Sequence, residues 1–273
     1  MLQRLLIWIA ILAMWECAYR VIQWRPWLFP APSHVIDSLL GMLNIHTALG
    51  DPLRSGWPWP AEAGRSAGGL AGAIGVSAVR LVIGFTISIL IGGLIGMAIW
   101  RFTAFDEFLG PLLLGVQTLP SVCWVPLGIV LFGLSETGVM FVLVMGSFSA
   151  IAIALRDGLR TMPPLYRRAG VMLGAGGWKL YRYVLLPASL PAVATSLRQG
   201  FSFAWRSLLG AEMLLATAHH GLGLKLQISR DIGGPADVIA LMIVMILIGM
   251  LADRWIFAKL QESVNARFGL SQS

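Results

Sequence analysis

Apolar residues run along this chain in long blocks separated by short polar stretches, and six blocks approach or exceed the roughly 20 residues an α-helix needs to cross a bilayer. They cover about 5–22, 79–100, 111–132, 138–155, 188–216 and 238–257. Nothing shows the roughly ten-residue alternation of an outer-membrane barrel strand, so the spans are read as helices. The stretch from Gln23 to about Gly72 holds Pro26, Pro30, Pro32, Pro52, Pro58 and Pro60, which break any long helix and predict an extramembrane loop. Within it, His34 to Leu43 has the period of a short amphipathic helix lying on the outer membrane surface, with Ser33 as its N-cap. The first block follows a short basic segment with Arg4 and precedes no small-residue cleavage site, so it is expected to stay as an anchor.

Polar residues inside the blocks are the next signal. Gly84, Ser88, Gly92 and Gly96 recur every four residues, which puts small side chains on one face of the second span and lets another backbone come close. That neighbour is either a helix of this chain or a second subunit. Arg80, at the outer end of the same span, is expected to snorkel to the interface. The third span carries Gln117, Thr118, Pro120, Ser121, Trp124 and Pro126. Prolines there free backbone carbonyls, which is tolerable where they are buried in protein or face a watery cavity. The segment is therefore a candidate for a translocation path, against the simpler reading of a packing kink. In the fifth span Arg198, Trp205 and Glu212 recur at seven-residue spacing, with Ser202 and Arg206 nearby. Burying a charge in hydrocarbon costs at least about 2.5 kcal/mol, so these groups must face protein or water. Arg198, Ser202 and Arg206 could lower the barrier for an anion, or the arginines could pair with buried acids and hold helices together. Glu212 would not help an anion, and its expected role is structural or gating.

Composition agrees with the pattern: 57% of residues are hydrophobic and only 12% charged, with a mean hydropathy of +0.78. A soluble domain has about 25% charged residues. The net charge of +7 does not point to nucleic acid, because the cations sit at the ends of apolar blocks. The segment from Arg156 to Pro187 holds Arg156, Arg160, Arg167, Arg168, Lys179 and Arg182 against Asp157 alone. The short loops on the opposite side offer only Lys225 and Arg230, offset by Asp231 and Asp237. Both termini and the basic loop are thus expected on the cytoplasmic side. Cys17 and Cys123 lie in apolar blocks and suggest no disulfide framework. His34, His46, His219 and His220 stand in or near outer loops without the carboxylate or thiolate partners of a metal site, and Glu136, Asp231 and Asp237 read as loop acids. No nucleophile, base and acid come together, so no covalent catalysis is expected.

The basic loop has internal order. Arg168, Ala169 and Gly170 are followed after three residues by Gly174 and Ala175, and nine residues after Gly174 comes Val184-Leu185-Leu186-Pro187. This resembles the cytoplasmic signature of binding-protein-dependent ABC import permeases, Glu-Ala-Ala, three residues, Gly, nine residues, Ile-x-Leu-Pro. Arg168 stands where that pattern has Glu. Leu28 to Ser33, Val79 to Phe85, Leu119 to Gly133 and Phe203 to Met213 are similar to the subfamily that imports nitrate, sulfonates, taurine or bicarbonate. An insertion at about 47–69, with Trp57-Pro58-Trp59-Pro60, interrupts the likeness, and its tryptophans suit either interfacial anchoring or contact with a binding protein.

The resemblance implies an all-α polytopic membrane protein with about six spans and the type I ABC importer permease fold. Its parts would be an anchor and outer loop at 1–78, a permease core at 79–260 with a coupling loop at 156–187, and a tail at 261–273. It further implies a homodimer in a bacterial inner membrane, two copies of a separate ATPase, and a periplasmic or lipid-anchored binding protein. In that family the loop forms a short helix, ending at the Gly, that docks on the ATPase. ATP and Mg would belong to the partner, since Gly174 to Lys179 lacks the adjacent Gly-Lys and following Ser or Thr of a phosphate loop. The expected function is a permease for a small anion. A secondary carrier, or a permease for an uncharged solute such as a heterocyclic vitamin precursor, are the alternatives; the carrier would be expected to show paired broken helices and membrane acids in both halves.

Overall fold

A helix forms at each of the six predicted positions in the computed structural model, which describes residues 2–22, 29–42, 69–215, 217, 219–232 and 234–267. Among these residues every regular element is helical: α1 (Leu2–Ile22), α2 (Pro32–Met42), α3 (Gly69–Arg101), α4 (Thr103–Thr118), α5 (Val125–Phe132), α6 (Glu136–Arg160), α7 (Pro164–Met172), α8 (Gly177–Leu180), α9 (Leu186–Leu214), α10 (Leu222–Asp231), α11 (Pro235–Ala252) and α12 (Lys259–Arg267). A tight turn at Ser121–Trp124 precedes α5, and wide π-helical turns at Tyr181–Leu185 and Asp253–Ala258 carry α8 into α9 and α11 into α12. The chain is an all-α, polytopic membrane protein. The insertion with Trp57 to Pro60, and His46, lie outside the described residues.

Among the described residues, three helices are long and apolar enough to cross a membrane: Leu70–Arg101, Glu136–Arg160 and Pro235–Ala266. The third predicted span is not one straight helix. α4 and the segment Ser121–Phe132 meet at an angle of 100°, so together they form a broken span or a re-entrant loop. Pro120 supplies no N–H and sits in the extended region with φ −54° and ψ 134°, which ends the helix there. α9, with 29 residues, is long enough at about 1.5 Å per residue but falls outside the apolar group. In α9 the apolar residues are interleaved with Ser189, Ser196, Arg198, Ser202, Arg206 and Ser207. α3 starts about three turns earlier than expected, because Gly69 to Ala78 is small and apolar and nothing in it stops a helix.

Two compact units divide the described chain. The first takes residues 1–78 and 212–247. In it α1 meets α2 through Glu16, which accepts from Arg20 at 2.9 Å and from the Ser33 N–H and Oγ at 3.4 Å. Ser33 is thus bonded away from its own helix and is not the predicted cap; Pro32 occupies the first helical position, where a missing N–H costs nothing. Tyr19 meets His34 edge-on, with centroids 5.7 Å apart. Ser38 of α2 hydrogen-bonds Asp237 of α11. Burial holds the Lys225 ammonium on α10 below the ordinary lysine range.

The second unit takes residues 79–211 and 248–273. Its centre is the pairing of α3 with α6. A Cβ added at Gly92 would lie 2.5 Å from the Phe148 carbonyl oxygen, and one at Gly96 2.8 Å from that of Ala152. Ser88 completes the face, receiving a hydrogen bond from Ser147 at 2.7 Å. Of the two readings of the small-residue stripe, close approach within this chain is therefore the one observed. Ile99, Leu113, Ala152 and Ile153 pack below it, and Phe85, Phe201 and Phe257 form an aromatic cluster with centroids 4.6–6.2 Å apart. Arg80 does not snorkel. It is buried and forks onto Glu136 at 2.6 and 2.7 Å, where Ser135 caps α6 by accepting from the Gly138 N–H. Glu136 is accordingly half of a helix-to-helix tie and not an ordinary loop acid.

Candidate functional site

The basic loop folds into two short helices closed on each other. α7 begins with Pro164 and runs to Met172; Gly174, with φ +79°, is the left-handed residue that ends it. The Ala175 N–H reaches back to the Gly170 carbonyl at 2.9 Å, and the Gly174 N–H to that of Val171 at 3.0 Å. These are the two bonds of a Schellman motif, and they give Gly170, Gly174 and Ala175 fixed places in one structure. Gly170 is buried, and a Cβ there would meet Leu180 at 2.6 Å and Val184 at 3.0 Å. On the opposite face, Leu165, Arg168, Ala169 and Met172 all point outward and are exposed. Met172 and Leu173 are each 87% exposed, an apolar tip with no cover among the described residues. Arg168 has no carboxylate partner among them. Pro187 is the second residue of α9, and the wide turn Tyr181–Leu185 immediately precedes it, where its ring and missing N–H disturb the regular ladder.

The C-terminal end of α6 is tied to α4. Asp106 accepts from Arg156 at 3.1 Å and from Arg160 at 2.8 Å. Two of the six loop cations are thus fixed by an acid that the sequence reading passed over.

The polar residues of the third span gather at the break itself. Thr118 Oγ1 donates to the Gly115 carbonyl at 2.7 Å at the end of α4, and Gln117 stands one residue before it. Ser121 and Trp124 bound the tight turn that follows Pro120. The break rests on α6 and α9 where Gly146 leaves room: a Cβ on Gly146 would lie within 3.0 Å of both Ser121 and Ser207. Gly146 and Ser207 carried no signal in the sequence, being two among many small residues in apolar helices.

The residues predicted along α9 separate. Arg198 forks onto Asp253, with Nε to Oδ1 and Nη2 to Oδ2 both 2.8 Å, and its Nη1 donates to Gln261 at 3.1 Å. It ties α9 to the wide turn after α11. Ser202 and Arg206 are exposed; Arg206 donates to the Ser202 carbonyl at 3.0 Å and lies 4.7 Å over the Phe203 ring. Arg198, Ser202, Trp205 and Arg206 line one side of an open cleft of about 540 Å³ whose other side carries Asp253 and Arg254. Glu212 lies elsewhere, buried in the first unit. Ser77 Oγ donates to it at 2.8–2.9 Å and the Gly223 N–H at 3.0 Å, while Ser77 in turn accepts from the Leu222 N–H at 2.9 Å. The carboxylate therefore sits at the N-terminus of α10, where free N–H groups favour a negative charge. Gly221 is what makes room, since a Cβ there would fall 2.2–2.5 Å from the carboxylate atoms.

The family model described as "Binding-protein-dependent transport system inner membrane component" matches residues 70–260, which hold α3 through the wide turn after α11. The chain belongs to this family. Among its relatives, a protein of Methanocaldococcus jannaschii that bears the name of an ABC transporter permease is 31% identical over 66% of this chain and 67% of its own length. The taurine transport system permease protein TauC of Escherichia coli is 26% identical over 66% and 65%, and the nitrate import permease protein NrtB of Synechocystis is 26% identical over 69% and 68%. About two thirds of each relative is thus spanned by the match.

Proposed function

We propose that this chain is the membrane subunit of an ATP-driven importer for a small anion, working as a homodimer with two copies of a separate ATPase and a binding protein outside the cell. The observation that carries the reading is α7 with its Schellman closure. It presents Leu165, Ala169 and Met172 on an exposed face, buries Gly170 behind, and stands on a basic loop. Such a rigid, apolar-tipped helix is suited to a groove on another protein. ATP and Mg belong to that partner. Its closure would push α7, and α6, joined to α7 through three residues, would pass the displacement to α4 through Asp106, Arg156 and Arg160. The broken segment around Gln117 to Trp124 then forms part of the translocation path. Positive residues concentrated in the α6–α9 loop support a cytoplasmic placement for it and for both termini. The names of the taurine and nitrate relatives support a small anion as cargo.

Co-purification tests the reading. The chain should carry a separate ATPase subunit with it, and Gly174→Asp should abolish that association while the permease still reaches the membrane. An ATPase retained in full by Gly174→Asp would sink the docking role of α7. ATP-dependent import of only uncharged solutes by the assembled complex would leave the subunit assignment standing and remove the anion.

A further inference from the structure

Three arginines border the cleft between α9 and the wide turn Asp253–Ala258, and they are not equivalent. Arg198 is neutralised by its fork onto Asp253. Arg206 gives one hydrogen bond to a backbone carbonyl and rests on the Phe203 ring, neither of which removes its charge. Arg254 follows Asp253 directly, is exposed, and among the described residues neither it nor Arg206 has a carboxylate partner. Three cations and one anion leave the cleft with a formal charge of +2. Along α9, Arg206 lies eight residues beyond Arg198, a rise of about 12 Å. Arg254 adjoins the residue that Arg198 grips, so the two uncompensated guanidinium groups stand at different depths of one cleft.

Two exposed charges with no carboxylate partner on helices of a membrane protein need water and can receive an anion. The planar fork of a guanidinium fits the paired oxygens of an oxyanion, and Ser202 adds a hydroxyl between them. A volume of about 540 Å³ accommodates such an ion with part of its water. Trp205 walls the space, its indole seated over Gly249, where a Cβ would come 2.9 Å from Nε1. The π-helical turn turns Arg254 and Asp253 to the same cleft, and such turns recur at functional sites.

We infer that this cleft is a transit station for an oxyanion, in which Arg206 and Arg254 hold the ion in succession and Arg198 with Asp253 is the strut that keeps the station open. The inference rests on the reading of the chain as an importer permease. It is tested in the full complex, permease with ATPase and binding protein, reconstituted in liposomes and supplied with nitrate, ethanesulfonate or bicarbonate. At matched amounts of assembled complex, Arg206→Gln and Arg254→Gln each lower import of the transported anion at least tenfold. Arg206→Lys and Arg254→Lys recover at least a third of it, which a purely packing role for either arginine would not give. Arg198→Gln lowers instead the amount of complex that assembles. Import unchanged by both glutamine variants overturns the station. So does a defect seen only with phosphatidylglycerol and lost in pure phosphatidylcholine, which would mean that the cleft holds an anionic lipid headgroup. The wild-type complex separates the two readings: if it imports an anion with ATP while the glutamine variants are harmless, only the station falls, and if it imports no anion at all the importer reading falls with it.

Discussion

Glu212 acts as the pin of α10. Its carboxylate, fully buried, gathers the Ser77 hydroxyl and the Gly223 N–H, and Gly221 passes it with no room for a methyl group. Glu212→Ala strands a buried hydroxyl and a helix-end N–H, each worth about 1–3 kcal/mol when unsatisfied. The variant is expected to lower the unfolding midpoint of the detergent-solubilised protein, with faster amide exchange confined to α10. Gly221→Ala should reproduce the effect from the other side of the contact; normal exchange in α10 for both variants would refute the pin. Glu212 was legible as a special residue, because an acid late in a spanning block demands a partner. Its partners were not, since Ser77 lies in what reads as the end of a loop and Gly221 is one glycine of 31. The same limit applies to Arg198: its charge was visible, but Asp253 lies 55 residues away and no local pattern links them.

The contact between α3 and α6 depends on which glycines face inward. Gly92 touches backbone, whereas at its neighbour Gly93 an added Cβ meets nothing within 4 Å. Gly92→Ala should therefore cost about 1–3 kcal/mol by overpacking, and Gly93→Ala should be neutral or slightly stabilising through helix propensity. Thermal unfolding of the two variants side by side checks this, and equal shifts would contradict the pairing. The four-residue spacing made this face readable in advance, because helical period and small size are both local properties. The bend of the third span was half readable. Pro120 signalled a break, but the 100° turn follows from what the segment packs on, Gly146 and Ser207, which propensity does not encode. The wide turns at 181–185 and 253–258 had no sequence sign beyond Pro187 after the first.

For the molecule as a whole, charge distribution and helix docking must agree. A single cysteine placed between Arg160 and Arg182, in a background lacking Cys17 and Cys123, is expected to resist an impermeant thiol reagent in intact cells and to react once the membrane is opened. Modification in intact cells would invert the topology and remove α7 from the side where ATP is available. Most of this architecture was present in the order of apolar blocks and in the Gly-to-Pro spacing of the basic loop. Arg168, at the signature's usual acid, sits on the outward face of α7 next to Ala169, so its charge is offered to whatever docks there. The docking of α7 is read out by crosslinking: with cysteine at position 172 in the assembled complex, a disulfide or short-linker product with the ATPase is expected in wild-type background and is lost with Gly174→Asp. A complex that imports substrate while position 172 never crosslinks to the ATPase would contradict it.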